Sequence, residues 1–357
     1  MRFNVGGGCC GGSPEIPSVT EQVAIVGDGQ MGLVLAGVLA QRGVGVRLWG
    51  RSEERVSELA ATRRSPRRLP GFVLPQAVEV TADHDALLGG ASVIVNAIPT
   101  QFIRSAWKRL GPYIPRGALV VSVSKGIEND TLLRPTQVIA DATGDDPDGP
   151  SRPMCALSGP TIAAELADRL PATMVAASRD AAVARRVQEL ISTSWLRIYR
   201  HDDLIGVEIA GATKNVIALA AGMIDGLAVG YNAKSALLAR GLAEIARLGA
   251  AMGAKVDTFF GVAGVGDLAT TCFSPQGRNR SCGERIGRGE SLDSILSSTA
   301  SVVEGVATTR SVVQLARAHG VEMPITLAVY AILFDGLAPG DAIEALMRRE
   351  RKAEVIG

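Results

Sequence analysis

The chain reads as a Rossmann-type, doubly wound α/β sheet followed by a second, all-helical domain, and three observations lead there. From Gln22 onward, short β-branched runs alternate with longer helical patterns, the order that builds parallel βαβ units. Between the first run and the first helical pattern stands Gly27-Asp28-Gly29-Gln30-Met31-Gly32, a G-x-G-x-x-G turn. Beyond about Asp202 the alternation stops, and Ala/Leu/Gly-rich helical periodicity runs on. With 357 residues, 47% hydrophobic and 20% charged, each half can bury its own core.

Taken in order, residues 1–20 are expected to be a flexible leader, since residues 1–17 are glycine-rich and lack the apolar core and basic flank of a secretory signal. The Cys9-Cys10 pair there could be acylated or bind metal, against the plainer reading of an exposed, unstructured segment. A dinucleotide-binding domain is expected over residues 21–201, with strands at 23–26, 46–49, 92–95, 119–122 and 154–157 whose near-continuous apolar runs suit burial on both faces. Residues 141–152, rich in turn formers and charge, read as a surface loop inside that domain. A helical substrate domain is expected over residues 202–350. Phe259, Phe260 and Trp195 are expected in the core.

In the glycine turn, Gly27 permits the tight bend, Gly29 lets backbone approach a pyrophosphate, and Gly32 allows close helix packing, while the amphipathic helix that follows to Arg42 offers free N–H donors at its start. Some twenty residues on, where a carboxylate usually meets the ribose hydroxyls of NAD, the chain has Gly50-Arg51-Ser52. Arg51 suits a 2′-phosphate, so NADP is preferred and NAD stays open; the alternative is that Arg51 merely opens a helix with Glu53 and Glu54 in its first turn.

The 37 Lys+Arg against 36 Asp+Glu leave a net charge of +1, so no global field draws the chain to nucleic acid or to an anionic membrane, and no nucleic-acid partner is expected. The basic run Arg63-Arg64-Ser65-Pro66-Arg67-Arg68 reads as a solvated charge cluster, with nucleic-acid contact as the minor alternative. No membrane span is expected: residues 31–40 are too few, and later apolar stretches are interrupted by Glu208, Lys214 and Asp225. Five scattered cysteines fit reduced thiols in the cytoplasm. His84, His201 and His319 lie far apart with no metal-ligand spacing, so no metal is expected, and Ser158-Gly159-Pro160 is not a nucleophile elbow.

Further along come Ser124-Lys125-Gly126-Ile127-Glu128, Ser158-Gly159-Pro160-Thr161-Ile162-Ala163-Ala164-Glu165 and Gly211-Ala212-Thr213-Lys214-Asn215-Val216. They are followed by Gly264-Val265-Gly266-Asp267-Leu268 with Thr271-Cys272, then Arg278-Asn279-Arg280, Val303-Glu304-Gly305 and Met323-Pro324-Ile325. In this order, with the glycine turn, the motifs resemble the bacterial-type NAD(P)-dependent glycerol-3-phosphate dehydrogenase family over nearly the whole chain. The resemblance implies reduction of dihydroxyacetone phosphate to sn-glycerol 3-phosphate, reversibly, feeding glycerophospholipid synthesis, with a phosphorylated small molecule as substrate; the oligomeric state stays open, with a homodimer as one alternative. It also implies catalytic roles for Lys214, Lys125 and Asp267. The implied substrate contacts are Lys125, Gly159, Thr161, Lys214, Asn215, Asp267, Thr271, Gly277, Arg278 and Asn279. Along the dinucleotide it implies Gln30, Met31, Arg51, Lys125, Ala163, Arg278, Val302 and Glu304, beside Gly27, Gly29 and Gly32. Gln30-Met31 and Gly277 depart from the small-aromatic pair and the serine common in the family, which weakens those side-chain assignments.

The residue types suit that chemistry. Reducing a ketone puts negative charge on its oxygen, and an ammonium can both stabilise that charge and donate the proton. Two lysines in one site repel each other, which can lower one pKa toward the working pH, and Asp267 could orient one of them. Lys125 and Lys214 could each be ordinary surface lysines, but Lys214 stands in an apolar stretch where a charge needs a cleft or a partner. Arg278-Asn279 can offer a fork and an amide to a phosphate, or be a solvated helix start, and Glu304 could be only a helix-initiating acid. Two other readings stand beside this one: a dehydrogenase of another hydroxy acid, and a non-catalytic dinucleotide sensor.

Overall fold

Eight strands form one sheet in the computed structural model, which describes residues 21–145, 152–299, 301–351 and 353–354. The expected leader and the centre of the expected 141–152 loop lie outside the described residues, while Asp141 to Thr143 close a helix instead of opening a loop. The strands are β1 (Gln22–Val26), β2 (Gly45–Trp49), β3 (Val78–Thr81), β4 (Val93–Asn96), β5 (Leu119–Ser122), β6 (Met154–Ser158), β7 (Ala172–Ala177) and β8 (Leu196–His201). They lie in the order β3-β2-β1-β4-β5-β6-β7-β8, parallel throughout except for antiparallel β6–β7. Around this sheet run α1 (Gln30–Gln41), α2 (Glu53–Thr62), α3 (His84–Leu88), α4 (Ile103–Leu110), α5 (Pro135–Thr143), α6 (Ala163–Ala167) and α7 (Ala181–Ile191).

The doubly wound class expected from the alternating pattern is the one observed, and its consequence is positional. β1 pairs with both β2 and β4, so the strand order reverses at β1 and opens a crevice above its C-terminal end, where the glycine turn sits. Three strands escape the sequence reading. β3 and β8 alternate exposed charge with buried apolar residues at the sheet's two margins, and the alanines of β7 carry little strand propensity. The first helix also differs from expectation: α1 is buried continuously from Gly32 to Leu39 and so is not amphipathic, because it packs on the sheet on one side while Phe72 lies against Gly37 on another.

The chain beyond β8 is all helix: α8 (Leu204–Gly226), α9 (Tyr231–Ala251), α10 (Asp267–Phe273), α11 (Arg278–Gly287), α12 (Leu292–Ser298), α13 (Glu304–Ala318), α14 (Pro324–Phe334) and α15 (Pro339–Met347). Among the described residues α8 is the one helix long and apolar enough to cross a membrane, with a mean hydropathy of 1.5, but 94% of that window is buried inside the fold. A helix apolar on all sides is the axle of a helical core, and α8 serves as one. Glycines set its closest contact. A Cβ on Gly222 would come 1.9 Å from the Arg280 carbonyl oxygen, and one on Gly283 would come 2.0 Å from that of Leu219. Side-chain-free positions four apart on each helix (Gly222 and Gly226, Gly283 and Gly287) let α8 and α11 meet backbone to backbone. Of the expected core aromatics, Phe259 is fully buried, Trp195 is partly buried, and Phe260 is 45% exposed on the surface.

Buried polar contacts dock the helical half on the sheet. Glu208 of α8 accepts from Thr136 N and Thr136 Oγ1 at 2.8 Å each and pairs with Arg134, closing the start of α5. Both side chains of that pair are almost wholly buried, so removing either alone would strand a charge, at a cost of about 3–5 kcal/mol.

Candidate active site

The site lies in the cleft between the two halves, at the C-terminal ends of β1, β4, β5 and β6. Lys125 follows β5 by three residues, and Gly159 and Thr161 follow β6. Opposite them, Lys214 occupies the middle of α8, and Asp267 opens α10 directly after a π-helical turn, Val262–Gly266. Such turns interrupt the regular ladder and re-aim the residues that follow.

One buried carboxylate gathers both lysines. Asp267, 1% exposed, accepts from Lys214 Nζ at Oδ1 and from Lys125 Nζ at Oδ2, each at 2.6 Å. Lys214 also donates to Thr271 Oγ1 at 2.6 Å, and Lys125 to the Gly159 carbonyl oxygen at 3.0 Å. An ammonium has three N–H donors, so each lysine keeps one with which to face the cleft. Gly159 sits at φ +146, where a Cβ would come 2.8 Å from Thr173 O, so only glycine presents its carbonyl to Lys125 in this way.

Burial sets the electrostatics first. Lys214 is pushed down to about 8, mainly by desolvation; Asp267 pulls back toward the charged form, and Lys125 adds to the lowering. The lysine–lysine repulsion expected from the sequence is therefore a secondary cause. Burial alone would raise Asp267, but the two ammoniums outweigh it and hold the carboxyl below its ordinary value. Glu304 moves the other way: desolvation raises its pKa, although its carboxylate accepts from Thr100 N at 3.0 Å across the cleft.

Most of the sequence-predicted residues converge here. Gly29, Gln30, Met31, Lys125, Thr161, Ala163, Lys214, Asn215, Asp267, Thr271, Gly277, Arg278, Asn279, Val302 and Glu304 line one cleft. Gly27 and Gly32 lie beneath it and shape the turn: Gly27 has φ +121, and a Cβ on Gly32 would meet the Gly27 oxygen at 1.9 Å. Arg51 is not part of the lining. It is exposed beyond the end of β2, ahead of Ser52, which caps α2 by accepting from Arg55 N. Asn279 is buried and already engaged, its Nδ2 donating to Asn215 Oδ1 and its Oδ1 accepting from Gly305 N, both at 2.9 Å. Asn215 passes the connection on to the Lys125 carbonyl oxygen at 2.9 Å, so a chain of amides ties α13, α11 and α8 to the loop after β5.

Sequence reasoning missed Thr270, Ser274 and Gln276, which line the cleft together with Arg278. A signal existed for the first two, since positions 267, 270, 271 and 274 repeat at the helical spacing that puts them on one face with Asp267. It also misread the basic run. Arg63 is buried and donates to Leu74 O at 3.4 Å and Val78 O at 2.7 Å, and Arg68 Nη1 lies 2.6 Å from Asp28 in the glycine turn. Only part of the run is a solvated face.

The glycine turn fits a dinucleotide phosphate. A Cβ on Gly29 would find only Ala97 O, at 3.8 Å, so that glycine borders open space, and α1 begins there with no side chain capping its N–H groups. Fold and cleft together define a dinucleotide-dependent oxidoreductase with a helical substrate half. Comparison with known proteins narrows the class. The chain matches the NAD-dependent glycerol-3-phosphate dehydrogenase N-terminus over residues 22–184 and the C-terminus of the same family over residues 203–344, and it belongs to that family. An NAD(P)-dependent glycerol-3-phosphate dehydrogenase of Mycobacterium tuberculosis is 44% identical over 336 residues, 94% of this chain and 99% of the relative. One from Salinibacter ruber is 45% identical over 332 residues, covering 93% and 96%. The crystal structure of glycerol-3-phosphate dehydrogenase from Coxiella burnetii superposes with a TM-score of 0.87 at 35% identity, over 92% of this chain and 99% of that one.

Proposed function

We propose that this chain reduces dihydroxyacetone phosphate to sn-glycerol 3-phosphate, reversibly, in the cytoplasm, and that the product feeds glycerophospholipid synthesis. The observation that carries the reading is the pair of ammoniums held on Asp267 in a cleft that Arg278 also lines. A bound reduced nicotinamide supplies the hydride for the carbonyl carbon. Lys214, with a pKa near the working range, gives its remaining proton to the carbonyl oxygen and takes it back in the oxidative direction. Lys125, held on the other oxygen of Asp267, faces the same carbonyl oxygen and stabilises the alkoxide as it develops. Asp267 holds both groups in place without taking the proton itself, since its carboxyl stays below its ordinary value.

The phosphate is gripped at the other end of the substrate. Arg278 is exposed at the cleft's rim, its Nη1 donating to Val302 O at 3.2 Å, and it opens α11, a ten-residue helix whose first N–H groups have no side-chain cap. A dianion there meets a guanidinium and helix-end donors together. Asn279 acts largely through the amide chain that positions Asn215 and Lys125. NADP is the preferred cofactor: Arg51, free of any partner among the described residues, stands just beyond β2, where its guanidinium would meet a 2′-phosphate.

The test is loss of reduced-nicotinamide absorbance with dihydroxyacetone phosphate, run in parallel with NADPH and NADH and against unphosphorylated ketones. Lys214→Ala is expected to abolish turnover while cofactor binding survives. Full activity in that variant, or equal turnover of unphosphorylated ketones, overturns the reading.

A further inference from the structure

The sequence shows no acid at the end of β2, yet the structure puts one there. Asp28, the second residue of the glycine turn, lies so close to Gly50, the residue after β2, that a Cβ on Gly50 would stand 2.9 Å from the Asp28 carboxyl carbon. The turn is fixed there by Gly27 N donating to Trp49 O at 2.9 Å. The Asp28 side chain is 14% exposed and pairs with Arg68 Nη1 at 2.6 Å; Arg55 Nε, on α2, lies 3.8 Å from its other oxygen. Gln30 Nε2 holds the backbone that carries Arg68, donating to the Arg68 carbonyl oxygen at 2.6 Å. Arg55 and Arg68 therefore share the Asp28 carboxylate beside the glycine turn, and Arg51 stands exposed next to Gly50.

We infer that Asp28 and Arg68 form an exchangeable charge pair that reads the 2′ position of the cofactor's adenosine ribose. This deepens the cofactor reading given above and rests on it. A carboxylate at the end of β2 accepts from ribose hydroxyls and repels a 2′-phosphate. In this chain that carboxylate is matched by a guanidinium that can change partners. Against NADH, Asp28 keeps Arg68 on one oxygen and accepts a ribose hydroxyl with its free lone pairs. Against NADPH, the 2′-phosphate takes Arg68, with Arg55 and Arg51 beside it, as a bidentate, charge-assisted partner. Opposed charges at one position give a site that accepts both cofactors, with the balance set by how readily Arg68 leaves Asp28.

The experiment is calorimetric binding of NADPH and of NADH to the full chain, wild type and variants, with melting temperatures measured alongside. The readout is the ratio of the NADH Kd to the NADPH Kd. Arg68→Gln is expected to lower that ratio about tenfold, the loss of one charge-assisted contact. Arg68→Lys should fall between wild type and Arg68→Gln, because an ammonium keeps the charge without the fork. Asp28→Asn is expected to move the ratio the opposite way, by weakening NADH and removing repulsion from NADPH. Arg55→Gln shifts it in the same direction as Arg68→Gln, and because that side chain is half exposed the variant tests the idea even if Asp28→Asn does not fold. A lower melting temperature in Arg68→Gln with the ratio within about twofold of wild type makes the pair a loop staple only and overturns the inference. If the wild-type ratio is one or below, yet Arg68→Gln and Asp28→Asn still move it in opposite directions, the NADP preference fails and the charge pair stands.

Discussion

Replacing Asp267 with asparagine is the sharpest perturbation the site offers, because it removes one charge and almost no volume. In the wild type a carboxylate 1% exposed balances two ammoniums at 2.6 Å each. Breaking a buried pair of this kind costs about 3–5 kcal/mol. Lys214 can escape most of that cost by releasing its proton, since its pKa already stands at about 8. At 1.36 kcal/mol per pH unit, about 3 kcal/mol lowers it by about two units, to roughly 6. At pH 7.5 the charged fraction then falls from about three quarters to about 3%, and ketone reduction, which needs the ammonium, slows about twenty-five-fold from protonation alone. Oxidation of the alcohol needs the neutral amine and loses none of its rate this way. Initial rates in both directions across pH 5 to 9 provide the assay, with the alkaline limb for reduction expected near 8 in the wild type and near 6 in Asp267→Asn. A variant whose reductive limb stays near 8, or whose two directions slow equally at pH 7.5, would refute the claim that Asp267 sets the charge on Lys214.

Further expectations concern the wild type and the supports of the site. Reduction by the wild type should fall and oxidation should rise as pH increases through about 8, because the lowered pKa of Lys214 places its loss of charge there; a flat profile between pH 7 and 9 contradicts this. Arg278→Ala should raise KM for dihydroxyacetone phosphate by at least tenfold, about 1.5–3 kcal/mol of charge-assisted bonding, while unphosphorylated ketones are affected far less. Gly283→Ala puts a methyl group 2.0 Å from Leu219 O, so α11 must move off α8, with an expected loss of about 1–3 kcal/mol in denaturant unfolding and a weaker phosphate grip. Glu208→Gln leaves Arg134 buried without its charge partner, and a melting temperature unchanged from wild type would show that this contact does not hold the halves together.

Local pattern carried much of this protein. The glycine turn, the five apolar strands and the change of texture near Asp202 are periodic or short-range signals, and a short-range signal survives in the sequence because it acts through neighbouring residues. Lys214 could be singled out for a similar reason, as a charge embedded in an apolar run. Its pKa could not be apportioned, because desolvation depends on what packs around α8, and burial proved a larger cause than the second lysine. The margin strands β3 and β8 escaped because half their residues face solvent, and β7 escaped because alanine has little preference for a strand.

By itself, the sequence determined the class of fold and the phosphate-cradling turn, because each is encoded by spacing within an element or by a motif with its flanks, while resemblance to a known family supplied most of the residues that line the cleft. Tertiary structure alone decided the pairings: two lysines 89 positions apart on one carboxylate, Asn279 spent on an amide chain, and Asp28 brought against Gly50 with Arg68 as its partner. The reason is that charge and hydrogen bonding act across space at a few ångströms. Which residues come that close is set by how the sheet twists and how glycines let α8 and α11 meet, and no window of the chain contains that information.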